Sequence, residues 1–219
     1  MAGVEGKSVI LTGGAGDIAQ VVAARLLEAG ARVLLVDRDK ERLDVVAASF
    51  GSDQVQVFAG DVTSEEDTQS YVQAALSHFD GVDVLLANAG IEGVVAPMGE
   101  YPLDDFERVM AVNVTGPFLG IKHVFPLMAE NGGGSIVITS SIAGMEGTSA
   151  MPAYCTSKHA VIGLMRNCAK EGGPLNIRVN TVNPAPVEGR MIESLERGNA
   201  PDNPEVAREA IRASIPIGR

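Results

Sequence analysis

Tyr154 and Lys158 stand four residues apart, and on a helix that spacing brings a phenol and an ammonium to one face. A free phenol ionises near pH ~10, so a tyrosine that trades protons near neutrality needs a cation beside it to stabilise the phenolate. Lys158 is placed to be that cation. Ser140 and Ser141 close an apolar run at Ile136-Val137-Ile138, and a serine hydroxyl there can hydrogen-bond a substrate oxygen while Tyr154 gives or takes its proton. Ser141 is the one taken as functional. Singly, each residue has a plain structural reading: a packing aromatic, a surface charge, a helix or turn cap. Together they indicate proton transfer at a carbonyl or a secondary alcohol.

A second cluster suits a phosphate. The segment Thr12-Gly13-Gly14-Ala15-Gly16-Asp17-Ile18-Ala19 follows an apolar run at Ser8-Val9-Ile10-Leu11 and precedes an apolar-periodic helix that ends near Ala29. Glycines there let the backbone approach a pyrophosphate, held by the open N–H groups of the helix start, with Gly13, Gly16, Asp17 and Ile18 as the contacts. Asp37 ends the second apolar run, 20 residues after Asp17, where a carboxylate can accept from both hydroxyls of an adenosine ribose and repels a 2′-phosphate. NAD is therefore favoured over NADP, with Arg38 as the dissenting feature because a guanidinium could pair with that phosphate. Asp61-Val62 and Asn88-Ala89-Gly90 follow the third and fourth runs, and both could line the adenine and ribose site.

The elements that must hold these clusters follow from hydrophobic rhythm. Short apolar runs at residues 8–11, 33–36, 55–58, 82–86, 136–138 and 177–179 alternate with helix-patterned segments. Several runs are apolar on both faces, as strands of a parallel sheet covered by helices on both sides must be. This predicts an α/β fold of Rossmann type: a doubly wound parallel sheet in a three-layer sandwich. Asp39 is expected to cap a helix over residues 40–49, and Ser64 one over residues 65–79 that opens with Glu65, Glu66 and Asp67. Asn131-Gly132-Gly133-Gly134 reads as a helix-to-strand turn. The pattern has no interdomain linker, so residues 1–219 are expected to form one dinucleotide-binding catalytic domain, with a substrate-binding segment at about 186–215.

Composition narrows the partners. The 219 residues carry a formal charge of -11, which opposes binding to nucleic acid or anionic lipid. No apolar stretch reaches the ~18 residues of a membrane helix, and the expected location is the cytoplasm. Cys155 and Cys168 on one helix would lie roughly 20 Å apart at 1.5 Å per residue, too far for a disulfide. No metal is expected.

With these motifs in place, the chain resembles the short-chain dehydrogenase/reductase family over nearly its whole length. The family's Thr-Gly-x-x-x-Gly-x-Gly segment is similar to residues 12–19, its Asn-Ala-Gly to residues 88–90, and its Asn-Ser-Tyr-Lys tetrad to Asn113, Ser141, Tyr154 and Lys158. The family's serine lies thirteen positions before the tyrosine, which here is Ser141. The resemblance implies that Tyr154 and Lys158 also contact the nicotinamide ribose. It implies that Asn113, at a kink in its helix, holds a water linking Lys158 to solvent. It further implies a homotetramer built partly from the helices that carry Asn113 and Tyr154. Three departures stand out. Asp17 replaces the family's second glycine and Ala19 its third. After the sixth strand Pro184-Ala185 replaces Pro-Gly, and Gly189 replaces a threonine that holds the nicotinamide amide; Pro184 and Val187 are still expected at the cofactor. Asp17 would weaken pyrophosphate binding unless its side chain turns away to cap the helix that it opens. Family members continue past a segment like Ile215-Pro216-Ile217-Gly218-Arg219 with one more helix and strand. The expectation is that such a tail is missing from this sequence, the alternative being a natively short domain.

Residues 91–96, 142–151 and 186–195 are expected to wall the substrate pocket. Met145, Met151, Val187, Met191, Ile192 and Leu195 would line it, while Glu92, Glu146 and Glu188 either stay solvated or, facing inward, disfavour an anionic substrate. The reading is an NAD(H)-dependent oxidoreductase of a small ketone or secondary alcohol. Reduction of a 3-oxoacyl thioester is the alternative, although an acidic carrier protein suits this acidic chain poorly. A non-catalytic NAD-binding sensor or scaffold is the alternative of another class.

Overall fold

The computed structural model describes residues 3–215 of the chain. Six strands, β1 (Ser8–Thr12), β2 (Arg32–Asp37), β3 (Val55–Ala59), β4 (Val84–Ala87), β5 (Gly134–Thr139) and β6 (Ile177–Val182), form one sheet in the order β3-β2-β1-β4-β5-β6. Every pairing is parallel, and Val9 of β1 faces Val33 of β2 on one side and Val84 of β4 on the other. All of β1 is buried, which is why its run is apolar at nearly every position rather than at alternate ones. The apolar run that begins at Val82 becomes strand only at Val84. Asp83 is bonded instead to the start of β1, its Oδ2 accepting from Ser8 N and Ser8 Oγ at 2.9 Å each.

Helices α1 (Asp17–Glu28), α2 (Lys40–Phe50) and α3 (Glu65–Phe79) fall where capping and periodicity place them. Asp39 accepts from Arg42 N and Ser64 from Asp67 N, so each side chain takes an amide that the first helical turn leaves open. Helix α4 (Leu103–Met110) continues through a π-helical turn (Ala111–Thr115) into α5 (Gly116–Glu130), and α6 (Pro152–Gly172) follows β5. Cys155 and Cys168 both lie on α6 and are free thiols. Two further helices, α7 (Arg190–Asn199) and α8 (Pro204–Ser214), make up most of the segment after β6. Of the Ile215 to Arg219 segment, residues 216–219 lie outside the described residues.

The core has two halves. On one face of the sheet Tyr71, Val72 and Phe79 of α3, Ile121, Val124 and Met128 of α5 and Val161 of α6 pack on Ile10, Leu34, Leu85, Ile136 and Ile177. On the other, Ala19 and Ala23 of α1 and Leu43 and Val46 of α2 pack on Val9, Leu11, Val33 and Leu35. Helices thus cover both faces, but α1 and α2 extend only as far as β4, where Val84 and Leu86 are half-buried, and β6 shows Arg178, Asn180 and Val182 to solvent. Among the described residues no helix is long and apolar enough to cross a membrane.

Candidate active site

The strand order reverses between β1 and β4, and a doubly wound sheet binds its ligand at the carboxyl ends of the strands where that reversal opens a crevice. Here the crevice is a cleft of ≈ 1080 Å³. Every residue expected to act on substrate or to contact the cofactor lines it except Asn113, which lies beneath. Gly13 has φ +67°, and a Cβ there would stand 2.9 Å from Ala89 Cα, so only glycine lets the first turn lie this close to the loop after β4. The first hydrogen bond of α1 runs from Gln20 N to Gly16 O. The amides of Asp17, Ile18 and Ala19 therefore have no acceptor within the helix and open toward the cleft end.

Asp37 ends β2, its Oδ2 accepting from Ala15 N at 3.2 Å and its Oδ1 from Asp39 N at 3.2 Å. These two amides orient the carboxylate on the cleft wall, beside the exposed Arg38. Asp61 is committed locally, since its Oδ1 accepts from both N and Oγ1 of Thr63 at 2.8 Å; the neighbouring Val62 packs against Gly116. Asn88 ties three strands together: its N and that of Ala89 donate to Thr12 Oγ1, its Nδ2 donates to Thr12 O, and its Oδ1 accepts from Thr139 Oγ1. Thr12 and Thr139 are structural partners of the site that motif reading passed over, although Thr12 opens the glycine segment. Open helix amides for a pyrophosphate and a fixed carboxylate for a ribose diol fit an adenine dinucleotide.

Helix α6 carries the opposite wall. Tyr154 and Lys158 share one face, with Lys158 Nζ 5.4 Å from the Tyr154 ring centroid. Lys158 is buried, its Nζ donates to Thr139 O at 2.8 Å, and burial pulls its pKa down to about 8. Burial also pushes the Tyr154 phenol up; a hydrogen bond with the Ser141 hydroxyl lowers it, and the charge of Glu92 raises it. The expectation of a phenol acidified by Lys158 thus does not describe the protein alone, because desolvation dominates at both groups. Ser141 Oγ also accepts from Ala143 N, at the start of a short 3₁₀ turn, while the Ser140 hydroxyl donates to the Lys158 carbonyl and is fully engaged in holding α6.

Asn113 sits in the π-helical turn, almost wholly buried. Its Oδ1 accepts from Ile91 N at 2.8 Å, and its Nδ2 donates to Ile91 O at 2.9 Å and to Ser157 Oγ at 3.0 Å. A Cβ on Gly90 would lie 3.3 Å from Asn113 Oδ1 and 3.4 Å from Lys158 Nζ, so the two tetrad members approach each other under that glycine.

The segment after β6 closes the cleft. Pro184 O accepts from Ile142 N at 3.1 Å, and Val187, Met191, Ile192 and Leu195 line the cleft together with Met151. Met145, expected in this lining, points to solvent at 70% exposure. Of the three carboxylates weighed from sequence, Glu146 and Glu188 are exposed, and Glu188 pairs with Arg212. Glu92 alone turns inward, buried and paired with Arg190 Nη1 at 3.1 Å. Arg190 was not singled out from sequence, and nothing local marks it: its partners lie 98 and 173 residues away.

A dinucleotide cleft whose floor carries a hydroxyl, a phenol and an ammonium defines a nicotinamide-dependent oxidoreductase. Comparison with known proteins agrees. A profile described as short chain dehydrogenase matches residues 7–200. The chain is 42% identical over 183 residues to momilactone A synthase of Oryza sativa subsp. japonica, covering 83% of this chain and 67% of that one. The crystal structure of levodione reductase superposes with a TM-score of 0.96 at 32% identity, covering 99% of this chain and 86% of that one. NAD+-bound xylitol dehydrogenase superposes with a TM-score of 0.92 at 36% identity, covering 99% and 87%. The chain belongs to the short-chain dehydrogenase/reductase family, oxidoreductases that interconvert secondary alcohols and ketones.

Proposed function

We propose that residues 1–219 act as one catalytic unit that transfers a hydride between NAD(H) and a small, neutral ketone or secondary alcohol, with residues 186–215 as its substrate wall. The observation that carries this reading is the meeting of Ser141, Tyr154 and Lys158 on the floor of the same cleft into which the α1 amides open. When bound, the nicotinamide supplies or accepts the hydride. In reduction Ser141 donates a hydrogen bond to the substrate oxygen, and Tyr154 gives that oxygen its proton as the carbonyl carbon gains hydride. In oxidation Tyr154 takes the proton back. A phenol kept protonated by burial is in the form that donates. Lys158 places a positive charge beside the ring, and Asn113 fixes the kink through which a water links Lys158 to solvent.

Support for NAD over NADP comes from Asp37, whose carboxylate is fixed on the cleft wall where a 2′-phosphate would meet it. A neutral substrate is supported by the pairing of Glu92, the buried carboxylate near Tyr154, with Arg190, which leaves that pair without net charge. The homotetramer is what the family resemblance implies, and Leu103 on α4 and Phe118 on α5 are exposed apolar side chains that a contact between copies would cover. Placement in the cytoplasm suits the two free thiols.

The test follows NADH consumption over a panel of neutral ketones with Tyr154→Phe as control, light scattering on the same preparation reading four chains. The expected result is wild-type turnover that falls at least ~100-fold in the variant while NADH binding is kept. Binding without turnover on any ketone would instead favour a sensor or scaffold.

A further inference from the structure

Asp17 occupies a position where the family has glycine, one residue inside the helix whose N-terminus faces the cofactor cleft. A carboxylate there, pointing at the cleft, would repel a pyrophosphate. Its side chain does something else. Asp17 Oδ2 accepts a hydrogen bond from Arg190 N at 2.9 Å. Arg190 is the first residue of α7, whose own N-cap, Gly189, offers no side-chain acceptor. The carboxylate of one helix therefore caps another across 173 residues of chain, and its charge lies near the positive ends of both α1 and α7.

Gly189 matches this arrangement. It has φ +145°, and a Cβ there would run into Asp17 Oδ2. The residue that replaces the family's threonine is the one that makes room for the residue that replaces the family's glycine. Two departures that look unrelated in sequence form one contact in space.

Arg190 is then held at both ends. Its amide is on Asp17, beside the glycine-rich turn, and its guanidinium is on Glu92, in the loop after β4. Met191, Ile192 and Leu195, which follow it on α7, line the cleft. Glu196, buried on the same helix, pairs with Arg208 of α8 at 2.9 Å, which ties α8 to α7.

We propose that Asp17 is a positioning residue for substrate: by capping α7 it sets Arg190 against Glu92 and seats the substrate wall over Tyr154. The carboxylate is accommodated at the cofactor loop because α7, not the cofactor, receives it. The inference rests on the family's oxidoreductase chemistry and needs no particular substrate.

Two measurements test it. The first is hydrogen exchange on the cofactor-free protein. Asp17→Gly is expected to speed exchange at Arg190 and across residues 186–195 several-fold, with β1 and α1 unchanged. The second is steady-state kinetics on any ketone that the wild type turns over. Asp17→Gly is expected to raise substrate KM about 5-fold with kcat within about 2-fold, and to leave the NADH Kd equal to or below that of the wild type. Asp17→Asn, whose amide oxygen still accepts from Arg190 N, is expected to restore most of the KM. Unchanged exchange in residues 186–195 would overturn the proposal. So would a joint fall of kcat, NADH affinity and melting temperature, which marks a fold defect. If no ketone is turned over by the wild type, the catalytic reading fails separately, and the exchange result still decides whether Asp17 holds α7.

Discussion

At the scale of single residues, the proposed chemistry uses two groups that burial pushes toward neutrality. Lys158 is almost wholly buried, with its pKa drawn down to about 8 from 10.5 by desolvation. In the unfolded chain the same amine keeps its proton until pH ~10.4. Between those values the unfolded state binds more protons than the folded one, so stability rises with pH through that window. Below it both states carry the charge, and the folded state bears the full desolvation cost, roughly 3 kcal/mol at 1.36 kcal/mol per pH unit. Lys158→Met is thus expected to be inactive yet more stable than the cofactor-free wild type at pH 7, by up to roughly 3 kcal/mol, less the hydrogen bond to Thr139 O. That gain should fade between pH 8 and 10.5. Urea denaturation at a series of pH values measures it, and a constant or inverted difference would refute the account. On the proposed mechanism, function keeps this lysine against a stability gradient, because its charge serves the reaction rather than the resting protein.

At the scale of elements, the junction between α4 and α5 shows how a local irregularity supports the site. The π-helical turn carries Asn113 inward, where its amide pairs with both backbone groups of Ile91, in the loop that also holds Glu92. Asn113→Ala leaves the N–H and the C=O of half-buried Ile91 without their partner, each costing up to about 1–3 kcal/mol. A loss of about 2–4 kcal/mol by urea titration is expected, with a larger fall in kcat than in NADH affinity. A loss below about 0.5 kcal/mol would mean the loop is held by other contacts. Such pairings mark the limit of what sequence conveys. The caps at Asp39 and Ser64 and the six strands were legible because their signals are local: a side chain three residues from its amide, or an apolar run of strand length. That Asn113, Ser141, Tyr154 and Lys158 lie near one another was legible by type and spacing. The inward turn of Glu92, its pairing with Arg190, the outward turn of Met145 and the capping of α7 by Asp17 were not. Each is decided by chain arriving from elsewhere in the fold, and Glu92 has the same exposed-loop appearance in sequence as Glu146 and Glu188.

At the scale of the whole molecule, the sheet order makes two distant half-sites into one. Because the order reverses between β1 and β4, the carboxyl end of β2 with Asp37 lies on one side of the crevice and β5 with Ser141 on the other, so a ligand must straddle the reversal to reach both. On the proposed reading, cofactor choice is made far from Tyr154, at Asp37 and the two arginines near it. Arg38 is exposed at the cleft, and Arg42 Nη2 donates to Ala15 O at 3.1 Å. With the carboxylate present, a 2′-phosphate would meet like charge before it met either guanidinium. Asp37→Ser removes that charge, keeps a hydroxyl that can face a ribose, and leaves Arg38 and Arg42 as phosphate partners. The ratio of kcat/KM for NADPH to that for NADH is expected to rise at least ~10-fold, a shift of about 1.4 kcal/mol. The loss with NADH should lie mainly in KM, since the ribose contact is equally present in ground and transition states. Steady-state kinetics with both cofactors and one ketone measures the ratio. An unchanged ratio would place cofactor selection on groups other than Asp37, whereas a fall in kcat with both cofactors would indicate that losing the bonds from Ala15 N and Asp39 N had disturbed the glycine-rich turn itself.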